Sequence, residues 1–563
     1  MRYLLAVRAV VLCSALIPVT SYALWPSNGA PVCTETGTQW ISAVVSDGAG
    51  GVIVAWQDTR NGSDDIYAQR INGIGVVQWA TNGVAVCTAT GGQLKPSVVT
   101  DGSGGAIIAW QDQRAGAGED DVYVQRMNAS GVAQWTADGV ALCTAAALQG
   151  DVASASDGTG GAFVVWTDTR GSSAQIYARR VNAAGAPQWT ADGVPMCEYE
   201  SGVPVIQQVG IGDAIMAWED YRNFPGSDVY AQRVNATGSP QWTVNGIALC
   251  NAANYQTMLA IAGDSAGGAI VAWKDPREIF GSDIYAQRID AAGVPKWTAD
   301  GIPMFLDSWA GERSAPTIVS DGAGGAIIAW QDGFGIHDIY AERISGAGAS
   351  LWVTGSVTVC GATGHQSDAK AVSDGAGGAI VTWRDGRSDA GDVYVQRISS
   401  SGARLWTNNG VAMCTAVQQQ EAPGLVADGA GGALIAWADR RDHATTQVNM
   451  YANRVGASGL VPTAVDGASS APSLTLRSNY PNPFTGSTQL EIGLPAASDV
   501  AIDVYDVAGR RVRSQALPRQ DAGWYGVVFD GRDDSGRRLA SGVYFYRVSA
   551  GGTTATRKVV ITR

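Results

Sequence analysis

Charge is scarce in this chain, and positive charge scarcer still: of 563 residues only 16% are charged, with 38 Lys+Arg against 51 Asp+Glu and a net charge of −13. A chain so poor in basic residues lacks the electrostatic footprint of a nucleic-acid binder or of a protein held to anionic membranes. Histidine is almost missing, with His337, His365 and His443 the three copies, and no metal-ligand spacing relates them. No metal and no cofactor is expected. Helix-period stretches are absent, as are a Gly-x-Ser-x-Gly elbow, a His-Glu-x-x-His pair and a phosphate loop leading into a helix, so no catalytic residue is singled out. After the first 23 residues no apolar run is long enough to span a membrane. Those 23 residues place Arg2 and Arg8 before an apolar run from Ala9 to Val19, then Ser21 and Ala23 at the −3 and −1 positions, and read as a secretory signal peptide. Leu12 before Cys13 does not fit a lipid-attachment signal.

What the chain does have is glycine, 72 of them, and a repeat. A tryptophan recurs at Trp25, Trp79, Trp135, Trp189, Trp242, Trp297, Trp352 and Trp406, and a second at Trp56, Trp110, Trp166, Trp218, Trp273, Trp330, Trp383 and Trp437, which makes eight units of about 54 residues. Each unit holds four short runs rich in Val, Ile, Ala, Trp and Tyr, separated by Gly, Asn and Asp turns, the signature of antiparallel strands. Runs such as Ala106 to Trp110 are apolar throughout, so both faces of that strand are expected to be buried, as in blades packed around an axis. The expected fold is all-β: an eight-bladed β-propeller over residues 24–460, a linker over 461–472, and a small immunoglobulin-like β-sandwich over 473–563. The eighth unit lacks its last strand while the mature N-terminus carries a spare one. Residues 24–33 are therefore expected to pair beside residues 449–456 and close the ring.

Repeated features read as structure. Cys33, Cys87, Cys143, Cys197, Cys250, Cys360 and Cys414 each follow the leading tryptophan by eight residues, and Phe305 fills the remaining copy. An odd number of equivalent cysteines, one replaced by Phe, argues for buried thiols and against disulfides or zinc. The pairs Asp58 with Arg60 and Asp65 with Arg70, repeated in most units, are expected to be ion pairs fixing strand ends. The Asp-Gly-x-Gly-Gly segment at Asp47 to Gly51 reads as a tight hairpin turn.

Variation separates two faces. Asp47 to Trp56 spans nine residues in seven units and Tyr67 to Trp79 spans twelve in every unit that has both, so the face carrying these connections is constant. On the other face the spacing from the second tryptophan to the following tyrosine runs from 10 to 14, and the Phe305 to Asp321 connection is two residues longer than its counterparts. Binding residues concentrate where loops vary on a rigid scaffold. Trp309, Phe280, Phe334, Phe224, Trp40 and His337 are the candidate ligand-binding residues there, and Glu278, Asp307 and Glu312 are nonrepeat acids on the same face.

Charge also divides the chain: residues 473–563 carry 12 basic against 8 acidic residues, while residues 24–472 carry 24 against 43. The C-terminal segment contains Tyr480, Pro481, Asn482, Pro483 and Phe484, a Tyr505-Asp506-Val507-Ala508-Gly509-Arg510 run, Gly542 to Tyr546 with Tyr544 at its centre, and a terminal Arg557-Lys558 run. In this order the motifs resemble the C-terminal sorting domains of type IX secretion cargo and the related immunoglobulin-like domain of flagellar hook-capping proteins. That resemblance, which covers about a sixth of the chain, implies a secreted or outer-surface protein of a Gram-negative-type bacterium, with outer-membrane secretion machinery as partner. The propeller is expected to bind a glycan or protein ligand without catalysis. An extracellular polysaccharide hydrolase or lyase is the alternative, and a structural surface protein a third.

Overall fold

The computed structural model describes residues 25–562 except 117, 278–280, 306–310, 389–390, 443–447, 462, 465–472, 477–478, 480–481, 485–487, 497 and 521–522. The expected signal peptide and most of the expected linker lie outside these residues. The chain divides into two compact units, Trp25–Thr463 and one that begins at Ala464. Both are built of strands, and the described residues contain no helix. None, therefore, is a helix long and apolar enough to cross a membrane.

In the first unit the strands form eight four-stranded antiparallel sheets, each of the type Gln39–Ser46, Val52–Asp58, Asp65–Ile71 and Val84–Cys87. The second and third strands pair along their whole length, Val52 opposite Ile71 and Asp58 opposite Asp65. The first strands of successive sheets touch one another in an unbroken circle, so they form the innermost layer of a propeller-like ring.

The all-apolar second strand has the cause its sequence suggests. Val52, Val54 and Trp56 pack on Leu434 and Ala436 of the eighth sheet, while Ile53 and Ala55 pack on Ile108 and Trp110 of the second. Successive side chains of a strand point to opposite faces, so a strand sandwiched between two sheets needs apolar residues at every position. All eight second-strand tryptophans are fully buried.

The expected closure is present. Ala30–Cys33 pairs antiparallel with Asn449–Val455, Ala30 opposite Ala452 and Pro31 opposite Tyr451, and completes the eighth sheet. The first and last strands of the array thereby share a sheet, and the circle has no open edge.

The repeated acid and arginine form a clasp at the end of seven of the eight second strands, and the cysteine belongs to it. In the seventh sheet Asp385 accepts from Trp383 Nε1 at 2.7 Å and from Arg387 Nε and Nη2 at 2.8 and 2.6 Å. Arg387 also donates to the Asn409 carbonyl at 2.7 Å, contacts Cys360 Sγ at 3.2 Å and lies over the Tyr394 ring. Burial alone would raise the Asp385 pKa, but the hydrogen bonds from Arg387 and Trp383 hold it below the ordinary carboxylate range. The seven cysteines are buried and free. Burial pushes their thiols up to about 11 or 12.

One expected pairing is corrected. Arg70 bonds Asp47 at 2.9 Å and not Asp65. Asp47 thus serves two ends of the sheet: one oxygen accepts from the Ala49 and Gly51 amides and closes the hairpin, while the other takes the arginine. Asp65 instead accepts from Asn61 Nδ2 at 2.8 Å.

The second unit contains a three-stranded sheet, Thr475–Leu476, Thr488–Leu494 and Gly523–Phe529, and a four-stranded sheet, Ser498–Asp506, Arg511–Gln520, Gly542–Ala550 and Thr553–Ile561. One core unites them, with Leu490 and Ile492 from the first packed with Ile502, Val504, Tyr546 and Val548 from the second. This is a small immunoglobulin-like sandwich.

Candidate functional site

The first strands begin on the face where connections vary, and most of them begin with a bulge. Lys95, Asp151, Met258, Ala315, Asp368 and Ala422 stand at equivalent positions with φ between 48° and 56°, where the register to the second strand shifts. Bulges re-aim side chains. Here they belong to the innermost strands, so the re-aimed residues ring the mouth of the axis, and three of them are ionisable.

Two clusters of titratable groups result. In the first, Lys95 of the second sheet pairs with Asp151 of the third at 3.5 Å, and Thr167 Oγ1 donates to the other Asp151 oxygen at 3.3 Å. Glu219 of the fourth sheet is 9% exposed and accepts from Tyr221 Oη at 3.0 Å and from the Met258 amide of the fifth sheet at 3.1 Å. Burial raises the Glu219 pKa; these two hydrogen bonds lower it without cancelling the effect, and the charge of Asp151 adds to the rise. Burial and the Glu219 charge push Tyr221 up to about 12, so it stays a donor. A buried carboxyl with a raised pKa thus stands within electrostatic reach of a second carboxylate paired with a lysine.

In the second cluster His337 of the sixth sheet and His365, leading into the seventh, bring their Nδ1 atoms to 3.2 Å with ring centroids 4.6 Å apart. Burial, His337 and the Arg384 charge together lower the His365 pKa, and Asp368 opposes them. Further round the rim, Lys274 faces Glu312 at 3.7 Å, and Arg440 joins Glu421 at 2.7 Å beside the Trp40 ring. Among the described residues no group of three or more His, Cys, Asp or Glu is placed to hold a metal.

The sequence-derived candidates are only partly brought together. Trp40, Phe224 and Phe334 are exposed on the varied face. Trp309, Phe280, Glu278, Asp307 and His443 lie outside the described residues. His337 is at the rim, in contact with a histidine that spacing alone does not pair with it. Glu219 and Asp151 are missed by motif reading. The signal that finds Glu219 is its column: the residue after the central tryptophan is Gln57, Gln111, Thr167, Lys274, Gln331, Arg384 and Ala438 elsewhere, never another acid.

In the C-terminal unit, Phe484 and Tyr544 are buried, Phe484 edge-on to Phe529 at 5.9 Å and Tyr544 donating to the Ala540 carbonyl at 3.0 Å. Asn482, Pro483, Arg557 and Lys558 are exposed, and the Asn482 side chain accepts from the Val560 amide at 2.8 Å. Tyr480 and Pro481 lie outside the described residues.

Fold and site together define an all-β, propeller-like ring with a charged axial rim, followed by an immunoglobulin-like unit. The family described as FlgD Ig-like domain matches residues 478–554. Solved structures similar to the chain include a protein of unknown function from Dyadobacter fermentans, 12% identical over 56% of this chain and 93% of that one, TM-score 0.31. A polysaccharide lyase, an ulvan lyase, is 10% identical over 70% and 98% with a TM-score of 0.38. An α-L-arabinofuranosidase from Clostridium thermocellum is 12% identical over 47% and 93% with a TM-score of 0.28. No curated protein matches the chain.

Proposed function

We propose that the eight sheets are the blades of an eight-bladed β-propeller, and that its varied rim cleaves an extracellular polysaccharide, as a hydrolase or a lyase. The observation that carries this reading is the pair Glu219 and Asp151. A buried carboxyl with a raised pKa beside a second, more exposed carboxylate matches the acid and base of glycosidic bond cleavage. Glu219 gives its proton to the leaving oxygen as the glycosidic C–O bond breaks, while Asp151, in contact with Lys95 and Thr167, takes a proton from the attacking water in hydrolysis or from the sugar ring carbon in elimination. The cations Lys95, Lys274, Arg384 and Arg440 offer contacts to acidic or hydroxyl-rich sugars along the rim.

Replacing Glu219 with Gln removes the acid but keeps the shape. Turnover is expected to fall by about 10²–10⁴-fold with polymer affinity nearly unchanged. In the wild type, activity falls as pH rises through the elevated Glu219 pKa, because the protonated form is the working one. Wild-type turnover in the Gln variant would remove Glu219 from the mechanism. A second reading, binding of a glycan or protein ligand without catalysis, is favoured by the exposed rings of Phe224, Phe334 and Trp40.

We further infer that residues 1–23 direct export and that residues 473–563, after a linker at 461–472, form a sorting or anchoring domain that meets the outer-membrane secretion machinery. The motif order supports this, with Asn482, Arg557 and Lys558 displayed on the surface. A chain ending at residue 472 is expected to stay inside the cell envelope; its release to the medium would contradict the sorting role.

A further inference from the structure

The sixth sheet departs from its siblings away from the rim as well. In five sheets a glutamine of the third strand (Gln69, Gln125, Gln232, Gln287 or Gln396) ties down the turn that leads to the fourth. Gln69 Nε2 donates to the Ala80 carbonyl at 2.7 Å, and its Oε1 accepts from the Trp79 amide at 3.0 Å. That turn runs through Asn82 and Gly83, both at positive φ, and a Cβ on Gly83 would fall 2.4 Å from the Trp56 ring. The turn therefore lies flat on the buried tryptophan. In the sixth sheet Glu342 replaces the glutamine and the turn reads Gly355-Ser356. Ser356 thus stands where the seven other turns have the glycine that packs on the central tryptophan. Trp330 Nε1, the counterpart of seven indoles that each bond an aspartate, has no partner among the described residues.

This altered turn borders a cavity of about 610 Å³ between the fifth and sixth sheets, walled by Met304, Phe305, Ile344 and Val353 with Ser350 at its edge. Glu342 also lines it and is 6% exposed. Among the described residues no other one that lines it is charged. The Arg313 guanidinium, stacked on the Phe305 ring, is committed to Asp283 and to Asp332, which it bonds at 3.0 Å.

We propose that this cavity binds a small organic cation, its ammonium group paired with Glu342 and its hydrocarbon body against the apolar walls. The volume suits a small-molecule site, and apolar walls around one oriented polar group are the usual composition of such sites. A buried carboxylate is costly without an opposite charge, and none of the described lining residues supplies one here. Burial accordingly pushes Glu342 up to about 7, with a hydrogen bond from Ser350 offsetting only part of the rise. An ammonium ion provides the missing charge, so it binds the ionised carboxyl and displaces its proton. The cavity lies among third and fourth strands, apart from the first-strand rim, and stands or falls independently of the carbohydrate reading.

Calorimetric titration of the full chain with cyclohexylmethylammonium and with its neutral analogue cyclohexylmethanol tests this. At about pH 8.5 the amine should bind at least about tenfold more tightly than the alcohol, and its affinity should drop at least about tenfold at pH 5.5, below the carboxyl pKa. Glu342→Gln installs the residue that five sheets already use, so it should fold with an unaltered unfolding midpoint yet lose the amine. Absence of amine binding at pH 8.5, equal affinity for the alcohol, or amine binding retained by a folded Glu342→Gln protein would each overturn the proposal.

Discussion

Asp385→Ala will destabilise the ring by about 3–5 kcal/mol, the cost of breaking a buried ion pair from one side. The carboxylate is fully buried and accepts four hydrogen bonds from nitrogen donors, one from the Trp383 indole, two from the Arg387 guanidinium and one from the Arg387 amide. Its removal strands the arginine and the buried indole N–H without their acceptor. Because the Asp385 pKa is depressed in the folded state, its contribution is complete above the unfolded carboxylate value of about 3.9 and is lost as pH falls through the lower folded value. The difference in unfolding midpoint between wild type and variant should therefore be large at neutral pH and shrink in acid. A change under about 0.5 kcal/mol at pH 7, the size of an ordinary surface substitution, would show that the clasp is decoration.

Removing Trp25–Cys33 should be more damaging still. Trp25 and Cys33 are buried in the core shared by the first and eighth sheets, and Arg441 is held by the Asn28 carbonyl at 2.7 Å. The deletion also strips the partner from Asn449–Val455, whose exposed backbone then becomes an edge open to intermolecular pairing. The shortened chain is expected to lose its cooperative unfolding transition and to self-associate. An unchanged midpoint, measured by circular dichroism, would mean that the ring does not depend on its closing strand.

These outcomes were legible before any coordinates because they concern what repeats. Eight copies of one pattern reveal strand order, the doubly buried strand and the leftover N-terminal strand. Pairings that cross long stretches of chain were harder to read. Arg70 has an acid five residues before it, Asp65, yet bonds Asp47, because the hairpin returns the end of the first strand to the third. His337 and His365 sit 28 residues apart and meet only because neighbouring sheets place their loops side by side. Glu219 and Glu342 carry no motif at all. Each is an exception in a column of repeats, and its meaning depends on burial, which periodicity cannot supply. The cysteines show the converse: their spacing identified them as structural, but not that Arg387 and its equivalents reach over to the sulfur.

The most direct measurement of the functional account is product release from a panel of neutral and acidic polysaccharides incubated with the full mature chain, followed through new reducing ends and through the ultraviolet absorbance of unsaturated sugars. The account predicts that at least one polymer is shortened by the wild type and left intact by Glu219→Gln. A polymer that is bound but never shortened would contradict it in favour of the binding reading, and equal shortening by both proteins would show that the catalytic centre lies elsewhere.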